Sequence, residues 1–280
     1  MVQIIDGKKI AESIKDKIAK EIYSFKGQRP NLAIVLVGDR EDSKLYVNLK
    51  CKQAKGVGID THFYHLEENI KESELLEVIN FLNQDDIIDG ILVQLPLPKH
   101  LDADKIVNTI SYKKDVDGFH KKSLERIDSE EVFLSPVFAS VLKVLQEIKF
   151  NIEGKKVAII HNSSIFGKSL AKLIANRKGE VVLVQKKEVE NKKKNILQAD
   201  VIITALGVPK YLDSSLVKPK AVVIDVGISK LDGKVVGDAN FEDLKNIVSY
   251  ITPVPGGIGP MTIAMLFKNT LQAFKNHRQK

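Results

Sequence analysis

The chain has 280 residues, 44% hydrophobic and 28% charged, which excludes a disordered protein and allows one large domain or two ordinary ones. Its single cysteine, Cys51, excludes an internal disulfide and fits a reducing compartment. The net charge of +7 fits either a surface of solvated lysines or attraction of anionic ligands such as nucleotide phosphates. The basic run from Lys186 to Lys194 has no interleaved aromatic residues, so nucleic-acid binding is not expected.

Apolar strands alternate with amphipathic helices along the chain, which predicts an α/β fold with mostly parallel sheets. The N-terminus has a short strand, a turn and an amphipathic helix, and no signal-peptide core. Because no apolar run reaches transmembrane length, we expect a cytoplasmic protein without membrane partners. The predicted strands of the first half are Leu32–Val37, Thr61–Leu66 and Gly90–Gln94. The predicted helices are Ser43–Lys55, with Asp42 or Ser43 as N-cap and Gly56 and Gly58 at its end, and Glu72–Asn83.

A second series of strands and helices begins after Gly154 and predicts a small doubly wound nucleotide-binding domain. Its strands are short β-branched runs: Val157–Ile160, Val181–Val184, Val201–Thr204 and Val222–Asp225. The polar segment Ser111–Pro136 is expected to hold the domain boundary. A last helix near Met261–Phe274 is expected to pack back on the first domain.

Tyr46 and Lys50 are four residues apart on a predicted helix, so they share one face. A partly desolvated lysine has a lowered pKa and can act as an acid or base near neutral pH. The alternative is that both are surface decoration. Gln94 ends a buried strand that runs into two prolines, Pro96 and Pro98. It is therefore either a polar strand terminus or a ligand-site residue at the carboxyl edge of a parallel sheet.

The segment Lys114–Gly118 has two carboxylates flanking a valine, followed by glycine. It indicates either a capped turn or a carboxylate that accepts paired hydrogen bonds from a heterocycle. The segment Tyr250–Thr262 concentrates three prolines and three glycines. Such an array predicts a stiff loop whose bare backbone a ligand can approach, although an interdomain turn is the alternative.

These segments stand together in an order and spacing that resemble the bifunctional methylenetetrahydrofolate dehydrogenase/cyclohydrolase family. The matching blocks are Tyr46-x-x-x-Lys50, Val93–Pro98, Lys114–Gly118, Val223–Ile228, Val235–Asp238 and Ile251–Met265. The resemblance covers nearly the whole chain.

The resemblance implies two domains with a cleft between them. An N-terminal α/β folate-binding domain would span residues 1–120, completed by the C-terminal helix 261–280, and a Rossmann-like NAD(P)-binding domain would span 136–258. It also implies tetrahydrofolate as the substrate carrier, NADP or NAD as cofactor, no metal, and a homodimer.

The resemblance further assigns roles to individual residues. Lys50 is the catalytic lysine, Gln94 positions or tunes it, and Tyr46 stacks on or orients the folate. Asp117 binds the pterin nitrogens. The folate pocket is lined by the backbone of Pro255, Gly256 and Gly257. The cofactor-binding residues are Asn162, Ser163, Ser164, Gly167, Lys168 and Ile228.

Two segments depart from the family pattern. Pro136–Ala139 replaces a stretch resembling Pro-Cys-Thr-Pro, and in the nucleotide loop His161 replaces glycine, Asn162 replaces arginine and Ser169 replaces proline. His161 is either a hydrogen-bonded strand-end histidine or a group that displaces the cofactor. Because Asn162 carries no charge for a 2′-phosphate, we expect weak discrimination between NADP and NAD, or a preference for NAD. A strong NADP preference would mean that the phosphate is held by Lys168, Lys186 or Lys187.

The leading hypothesis is oxidation of 5,10-methylenetetrahydrofolate with NAD(P)⁺, followed by hydrolysis of the methenyl product to 10-formyltetrahydrofolate. The second hypothesis is a cyclohydrolase whose dehydrogenase step is lost or weakened, because the altered segments lie on the cofactor side. A third is a non-catalytic folate- or RNA-binding protein, against which the retained Tyr46, Lys50, Gln94 and Asp117 speak.

Overall fold

The structure is a computed structural model that describes residues 2–278. It contains two compact units. The three-stranded unit comprises Glu12–Pro136 and the residues from Ile263 onward. The six-stranded unit comprises the residues up to Ala11 together with Val137–Thr262. Both sheets are parallel throughout, as alternation of strands and helices predicted.

The three-stranded unit is built around a central strand that is buried on both faces. Its strands are β2 (Asn31–Val37), β3 (Asp60–Leu66) and β4 (Gly90–Val93). They lie in the spatial order β3-β2-β4. Its helices are α1 (Gly7–Tyr23), α2 (Glu41–Val57), α3 (Glu72–Gln84), α4 (Ala103–Thr109), α5 (Lys121–Glu125) and α10 (Ile258–Arg278). The first residues of α1 and of α10 belong to the six-stranded unit. The strands and helices predicted for the first half are therefore confirmed.

The start of α2 differs from the expectation. The helix begins at Glu41, and Arg40 occupies the N-cap without a side-chain hydrogen bond. Asp42 lies within the first turn, where its carboxylate forms an ion pair with Arg40. The same negative charge interacts favourably with the positive end of the helix dipole. Gly58 ends the helix in the left-handed conformation, as expected, whereas Gly56 lies inside it.

Alternate side chains of β2 enter two different hydrophobic clusters. Leu32 and Ile34 pack with residues of α2 and with Phe267 of α10. Ala33 and Val35 pack in a second cluster with Ile79 of α3. Helices cover both faces of β2, which explains why its sequence is a continuous apolar run and not an alternating one. The expected packing of the last helix against the first sheet is confirmed.

The six-stranded unit has the doubly wound strand order β1-β11-β8-β7-β5-β6. Its sheet strands are β1 (Gln3–Ile4), β5 (Lys156–His161), β6 (Glu180–Gln185), β7 (Val201–Ala205), β8 (Val222–Asp225) and β11 (Tyr250–Ile251). A hairpin is formed by β9 (Ser229–Leu231) and β10 (Lys234–Val236). The helices are α6 (Pro136–Glu147, which starts at the last residue of the other unit), α7 (Ser164–Ala175), α8 (Lys193–Ile196) and α9 (Phe241–Leu244), with a 3₁₀ turn at Lys186–Glu188.

Two features of this sheet bear on function. The chain runs from β5 outward to β6 and then returns past β5 to β7, so the carboxyl ends of β5 and β7 flank a topological switch point. In open α/β sheets, ligands bind in the crevice at such a point.

The N-terminal strand also belongs to this sheet, because β1 pairs with β11 through Gln3↔Tyr250 and Ile4↔Ile251. Contacts therefore group the N-terminal strand with the nucleotide-type sheet, whereas the range 1–120 had placed it with the folate-binding domain.

No helix within residues 2–278 combines the length and the apolar character needed to cross a membrane.

Candidate functional site

In the three-stranded unit, Lys50 and Gln94 meet although they come from different elements. Lys50 lies on α2, and its Nζ donates a 2.8 Å hydrogen bond to Oε1 of Gln94. Gln94 is the first residue after β4, where its backbone N–H still bonds the carbonyl of Val35. The same side chain donates from Nε2 to the carbonyl of Leu95 at 2.6 Å, which leaves its oxygen directed at Lys50. The expectation that Gln94 positions Lys50 thus has a geometric basis.

Burial and neighbouring charge act in opposite directions on the pKa of Lys50. Burial of the amine lowers the pKa of Lys50, and the negative charge of Asp117 raises it in part. Burial likewise raises the pKa of Asp117, against the effect of the Lys50 charge. A lowered pKa increases the fraction of Lys50 that is neutral at a given pH, and the neutral amine is the form that can accept a proton in general base catalysis.

The two carboxylates of the Lys114–Gly118 segment have different surroundings. Asp115 is buried and accepts backbone hydrogen bonds from Gly118 at 3.1 Å and His120 at 2.7 Å. Burial raises the pKa of Asp115 to about 7. No hydrogen bond reaches the carboxylate of Asp117 within residues 2–278. The turn interpretation therefore fits Asp115, and Asp117 keeps its acceptor oxygens available for a ligand.

Tyr46 lies one turn before Lys50 on α2, and 38% of its surface is exposed. Burial of the remainder, with a smaller effect from Asp42, raises the pKa of Tyr46, so its hydroxyl stays protonated at neutral pH. The side chain can therefore offer an aromatic face and a hydrogen-bond donor.

The proline- and glycine-rich loop lies in the six-stranded unit between β11 and α10. Gly256 has a φ of 108°, a value that favours glycine. A Cβ on Gly257 would come within 2.9 Å of Thr252, so the backbone is closely packed there. Pro255 precedes both glycines and removes one backbone donor. The loop is therefore closely packed at Gly257, and its stiffness stays a prediction.

The nucleotide loop joins β5 to α7 at the switch point. Ser163 caps α7, and its Oγ accepts a hydrogen bond from the N–H of Phe166 at 3.4 Å. Ser164 is the first residue of the helix and is exposed, as is Lys168 one turn later. The first N–H groups of a helix attract phosphate, so this end of α7 suits the pyrophosphate of a dinucleotide. Ile228, at the carboxyl side of β8, is 44% exposed.

His161 is 3% exposed, and its ring lies directly against Gly167. A Cβ on Gly167 would lie within 2.6 Å of Cε1 of the ring. Nδ1 of His161 is buried and makes no hydrogen bond within the described part of the chain. Burial lowers the pKa of His161, against a smaller opposing effect of the Ser163 backbone, which favours a neutral imidazole. The alternative of a hydrogen-bonded strand-end histidine therefore fits only in part, because one ring nitrogen has no partner.

The second departure from the family pattern lies beside the same helix. Phe138 is fully buried in α6, and its ring centroid is 5.4 Å from that of Phe166 in the first turn of α7. Its bulk thus helps to fix the start of the helix that follows the nucleotide loop.

The side chain of Asn162, the first residue after β5, reaches across the switch point to the segment that follows β7. Its Nδ2 donates a 2.6 Å hydrogen bond to the carbonyl of Leu206, in the segment that follows β7. The side chain therefore ties the β5 loop to the β7 loop, a structural task that the sequence did not indicate.

Two buried carboxylates near this edge were missed by the sequence reasoning. Asp238 accepts hydrogen bonds from the hydroxyl of Thr204 and from the N–H groups of Leu206 and Val208. Asp225 accepts from three backbone N–H groups, those of Gly227, Asp238 and Ala239. Burial raises the pKa of Asp225 to about 7, and the Asp238 charge adds to the shift.

Glycines make room for both carboxylates. A Cβ on Gly227 would collide with the carboxylate of Asp238, and a Cβ on Gly237 would collide with that of Asp225. The recurring pairing of glycine and aspartate at strand ends was the available signal in the sequence. Asp238 bonds the β7 loop directly, and Asp225 in turn accepts the N–H of Asp238.

No cluster of three or more histidine, cysteine or acidic side chains within residues 2–278 is arranged to hold a metal ion.

Two family models match the chain in succession. The model described as tetrahydrofolate dehydrogenase/cyclohydrolase, catalytic domain, matches residues 5–117. The model described as tetrahydrofolate dehydrogenase/cyclohydrolase, NAD(P)-binding domain, matches residues 136–278.

Individual relatives agree with these matches. The bifunctional protein FolD of Campylobacter hominis is 45% identical, with 100% of this chain and 99% of the relative covered. The structure of the bifunctional enzyme FolD from Campylobacter jejuni has a TM-score of 0.94 and 42% identity, covering 99% of each chain. A Trypanosoma brucei methylenetetrahydrofolate dehydrogenase-cyclohydrolase, solved with NADP and an inhibitor, has a TM-score of 0.92 and 31% identity, covering 98% of each chain. This chain belongs to the tetrahydrofolate dehydrogenase/cyclohydrolase family.

Proposed function

We propose that the chain is a bifunctional enzyme of folate one-carbon metabolism. It oxidises 5,10-methylenetetrahydrofolate to the 5,10-methenyl form with NAD(P)⁺ and hydrolyses that product to 10-formyltetrahydrofolate. The observation that carries the proposal is the 2.8 Å hydrogen bond from Lys50 to Gln94. This hydrogen bond holds the amine of Lys50, whose pKa is lowered by burial. The same unit contains Asp117, whose carboxylate oxygens are free to accept hydrogen bonds.

In the hydrolytic step, water adds to the methenyl carbon, loses a proton, and the bond from that carbon to one ring nitrogen breaks. Lys50 in its neutral form accepts the proton of the attacking water, and its ammonium form can return a proton to the departing nitrogen. Gln94 keeps Nζ in one position through the step. Asp117 accepts paired hydrogen bonds from the pterin, while Tyr46 stacks on or orients the ring system.

In the oxidative step, the dinucleotide, when bound, supplies the acceptor for a hydride from the methylene carbon. The N-terminus of α7 and the capping residue Ser163 fit its pyrophosphate, because the helix begins with exposed residues at the switch point and its dipole favours an anion there. Ser164, Lys168 and Ile228 are further proposed contacts. We also propose that the backbone of Pro255, Gly256 and Gly257 lines the folate pocket.

The purified chain tests both steps. Formation of reduced dinucleotide from 5,10-methylenetetrahydrofolate reports the dehydrogenase, and loss of methenyl absorbance reports the hydrolase. We expect both. Absence of both activities in folded protein would reject the proposal and favour the non-catalytic binding alternative.

A second candidate is a cyclohydrolase with a weak dehydrogenase step. The ring of His161 favours it, because a large side chain stands where the family pattern has a glycine and packs against Gly167 under the nucleotide loop. Brisk methenyl hydrolysis without dinucleotide reduction would identify this variant of the function.

Three further properties are proposed on the family resemblance. They are a homodimer, a cytoplasmic location, and a division into a folate-binding domain that ends near residue 120 and is completed by the last helix and an NAD(P)-binding domain at 136–258, with which contacts group the residues up to Ala11. Sedimentation of the purified chain tests the dimer, and cell fractionation tests the location.

A further inference from the structure

We propose that Asn269 is a positioning residue of the folate site, because its amide holds the peptide group that leads into Asp117. The inference rests on the proposed role of Asp117 in binding the pterin. It adds a residue that lies beyond the blocks resembling the family, the last of which ends at Met265. Asn269 is carried by α10 and lies within the three-stranded unit, as Asp117 does.

The amide of Asn269 bridges two backbone segments that are distant in the chain. Nδ2 donates a 2.9 Å hydrogen bond to the carbonyl of Val116, 153 residues away. It donates a second 2.9 Å hydrogen bond to the carbonyl of Leu134, 135 residues away. Because both partners are carbonyl oxygens, the amide nitrogen is the only atom of this side chain that can bond them, and its two N–H groups match the two acceptors.

The first of these hydrogen bonds acts on the backbone of Asp117. The carbonyl of Val116 belongs to the peptide group whose nitrogen is that of Asp117. The following peptide group is held as well, because the N–H of Gly118 donates to Oδ1 of Asp115 at 3.1 Å. The carboxylate of Asp117 accepts no hydrogen bond within residues 2–278. Its position therefore depends on these two peptide groups.

The second hydrogen bond keeps the same loop against a neighbouring segment. Gly118 packs closely on that segment, since a Cβ on Gly118 would lie 2.7 Å from the carbonyl oxygen of Phe133. Asn269 bonds Leu134, the next residue, and Val116 on the loop side. The side chain thus joins the loop, the segment before α6 and α10.

The helix gives this bridge a fixed support. Phe267 and Leu271 lie two residues before and after Asn269, and both are buried in the cluster that also contains Val116. Asparagine forms helices less readily than alanine does, so helix formation alone does not account for it in the interior of α10. Its two long-range hydrogen bonds do.

Lys50 reports where the Asp117 charge lies. That charge raises the pKa of Lys50, against the larger effect of burial. Without the bridge, the loop is less restrained, and the carboxylate spends less time where it binds the pterin and acts on the amine. Loss of Asn269 should therefore resemble a partial loss of Asp117.

The first experiment measures the pH dependence of kcat for methenyl hydrolysis in Asn269→Ala. The midpoint should move to lower pH, by less than in Asp117→Asn. The double variant Asn269→Ala/Asp117→Asn should have the midpoint of Asp117→Asn alone, because no charge remains to be displaced. Loss of stability by itself would not produce this pattern.

The matched control is Thr270→Val. It removes the neighbouring buried hydroxyl, which donates to the carbonyl of Leu266 within the same helix at 2.9 Å, and it should leave the midpoint unchanged. If Asn269→Ala does not fold, Asn269→Ser takes its place, because one hydroxyl hydrogen cannot serve both carbonyls. An unmoved midpoint in the folded variant, or an equal shift in Thr270→Val, would overturn the inference.

A binding experiment separates this inference from the proposed function. Calorimetry compares tetrahydrofolate binding to the unmodified enzyme, Asn269→Ala and Thr270→Val. Asn269→Ala should bind roughly tenfold more weakly, the scale of one net hydrogen bond, and Thr270→Val should bind normally. An active enzyme whose folate affinity survives Asn269→Ala would refute the role of Asn269 and leave the function in place. An inactive enzyme whose folate affinity falls only in Asn269→Ala would do the reverse.

Discussion

Nζ of Lys50 and Oε1 of Gln94 lie 2.8 Å apart although 44 residues separate them in the chain. One residue is carried by a helix and the other follows the end of a buried strand. Because both elements pack in the core of the three-stranded unit, the amine has little freedom to move. Substitution of either residue should therefore change the rate of hydrolysis or the affinity for folate in a defined direction. The same holds for Asp117, whose negative charge acts on the pKa of Lys50.

Lys50→Met should abolish methenyl hydrolysis and leave the fold intact, because methionine fills a similar volume but carries no proton. Hydrolysis rate and thermal unfolding are measured together. Full hydrolytic activity in this variant would rule out the proposed role of Lys50. Lys50→Gln, in which folate binding is measured separately from rate, distinguishes loss of chemistry from loss of binding.

The pH dependence of hydrolysis should follow the charges around Lys50. If the neutral amine is the active form, the rate rises with pH through a midpoint below the usual lysine pKa, because burial lowers the pKa of Lys50. Asp117→Asn removes a charge that raises this pKa, so the midpoint should move to lower pH. Gln94→Glu adds a negative charge beside Nζ, so the midpoint should move to higher pH. Midpoints are read from kcat at saturating folate; unmoved midpoints in both variants would exclude Lys50 as the titrating group.

Asp117→Ala should weaken folate binding by roughly 1.5–3 kcal/mol, the scale of hydrogen bonds to a charged group, and leave nucleotide affinity nearly unchanged. Asp115→Ala is the matched comparison. Because Asp115 bonds two backbone N–H groups, its loss should lower the free energy of unfolding. Calorimetric binding and thermal unfolding separate the two effects. Equal loss of folate and nucleotide affinity in Asp117→Ala would indicate misfolding.

His161→Gly should strengthen binding of NADP and NAD by similar factors, because it restores the glycine of the family pattern under the loop next to the pyrophosphate that both cofactors share. Removing a buried ring should also lower the melting temperature. Asn162→Arg, alone and combined with His161→Gly, tests whether a guanidinium adds to NADP preference. Unchanged affinities in His161→Gly would mean that the ring does not obstruct the cofactor.

Asp238→Ala should destabilise the six-stranded unit and raise KM for the dinucleotide. It leaves the donors of Thr204, Leu206 and Val208 without their acceptor, and each unsatisfied buried donor costs about 1–3 kcal/mol. Methenyl hydrolysis, measured below the melting temperature, should be retained. A normal KM for the dinucleotide would show that the β7 loop does not need this carboxylate.

The sequence by itself determined the fold class and the main elements. Continuous apolar runs such as that of β2 have no alternating pattern, and a strand covered by helices on both faces accounts for such a run. The order and spacing of Tyr46, Lys50, Gln94 and Asp117 indicated the family, because the four residues occur together in the family's order although each one alone is ambiguous.

Tertiary structure decided how similar residues divide their tasks. Nothing in the local sequence distinguishes Asp115, which closes a turn, from Asp117, whose oxygens stay free, because only the folded backbone brings N–H groups to one of them. The same holds for Asn162, whose amide bonds the carbonyl of Leu206 across 44 residues. Hydrogen bonds of this kind depend on the positions of strands that are distant in sequence, so residue type and spacing determine which groups are present and the packed sheet determines which of them remain available for a ligand.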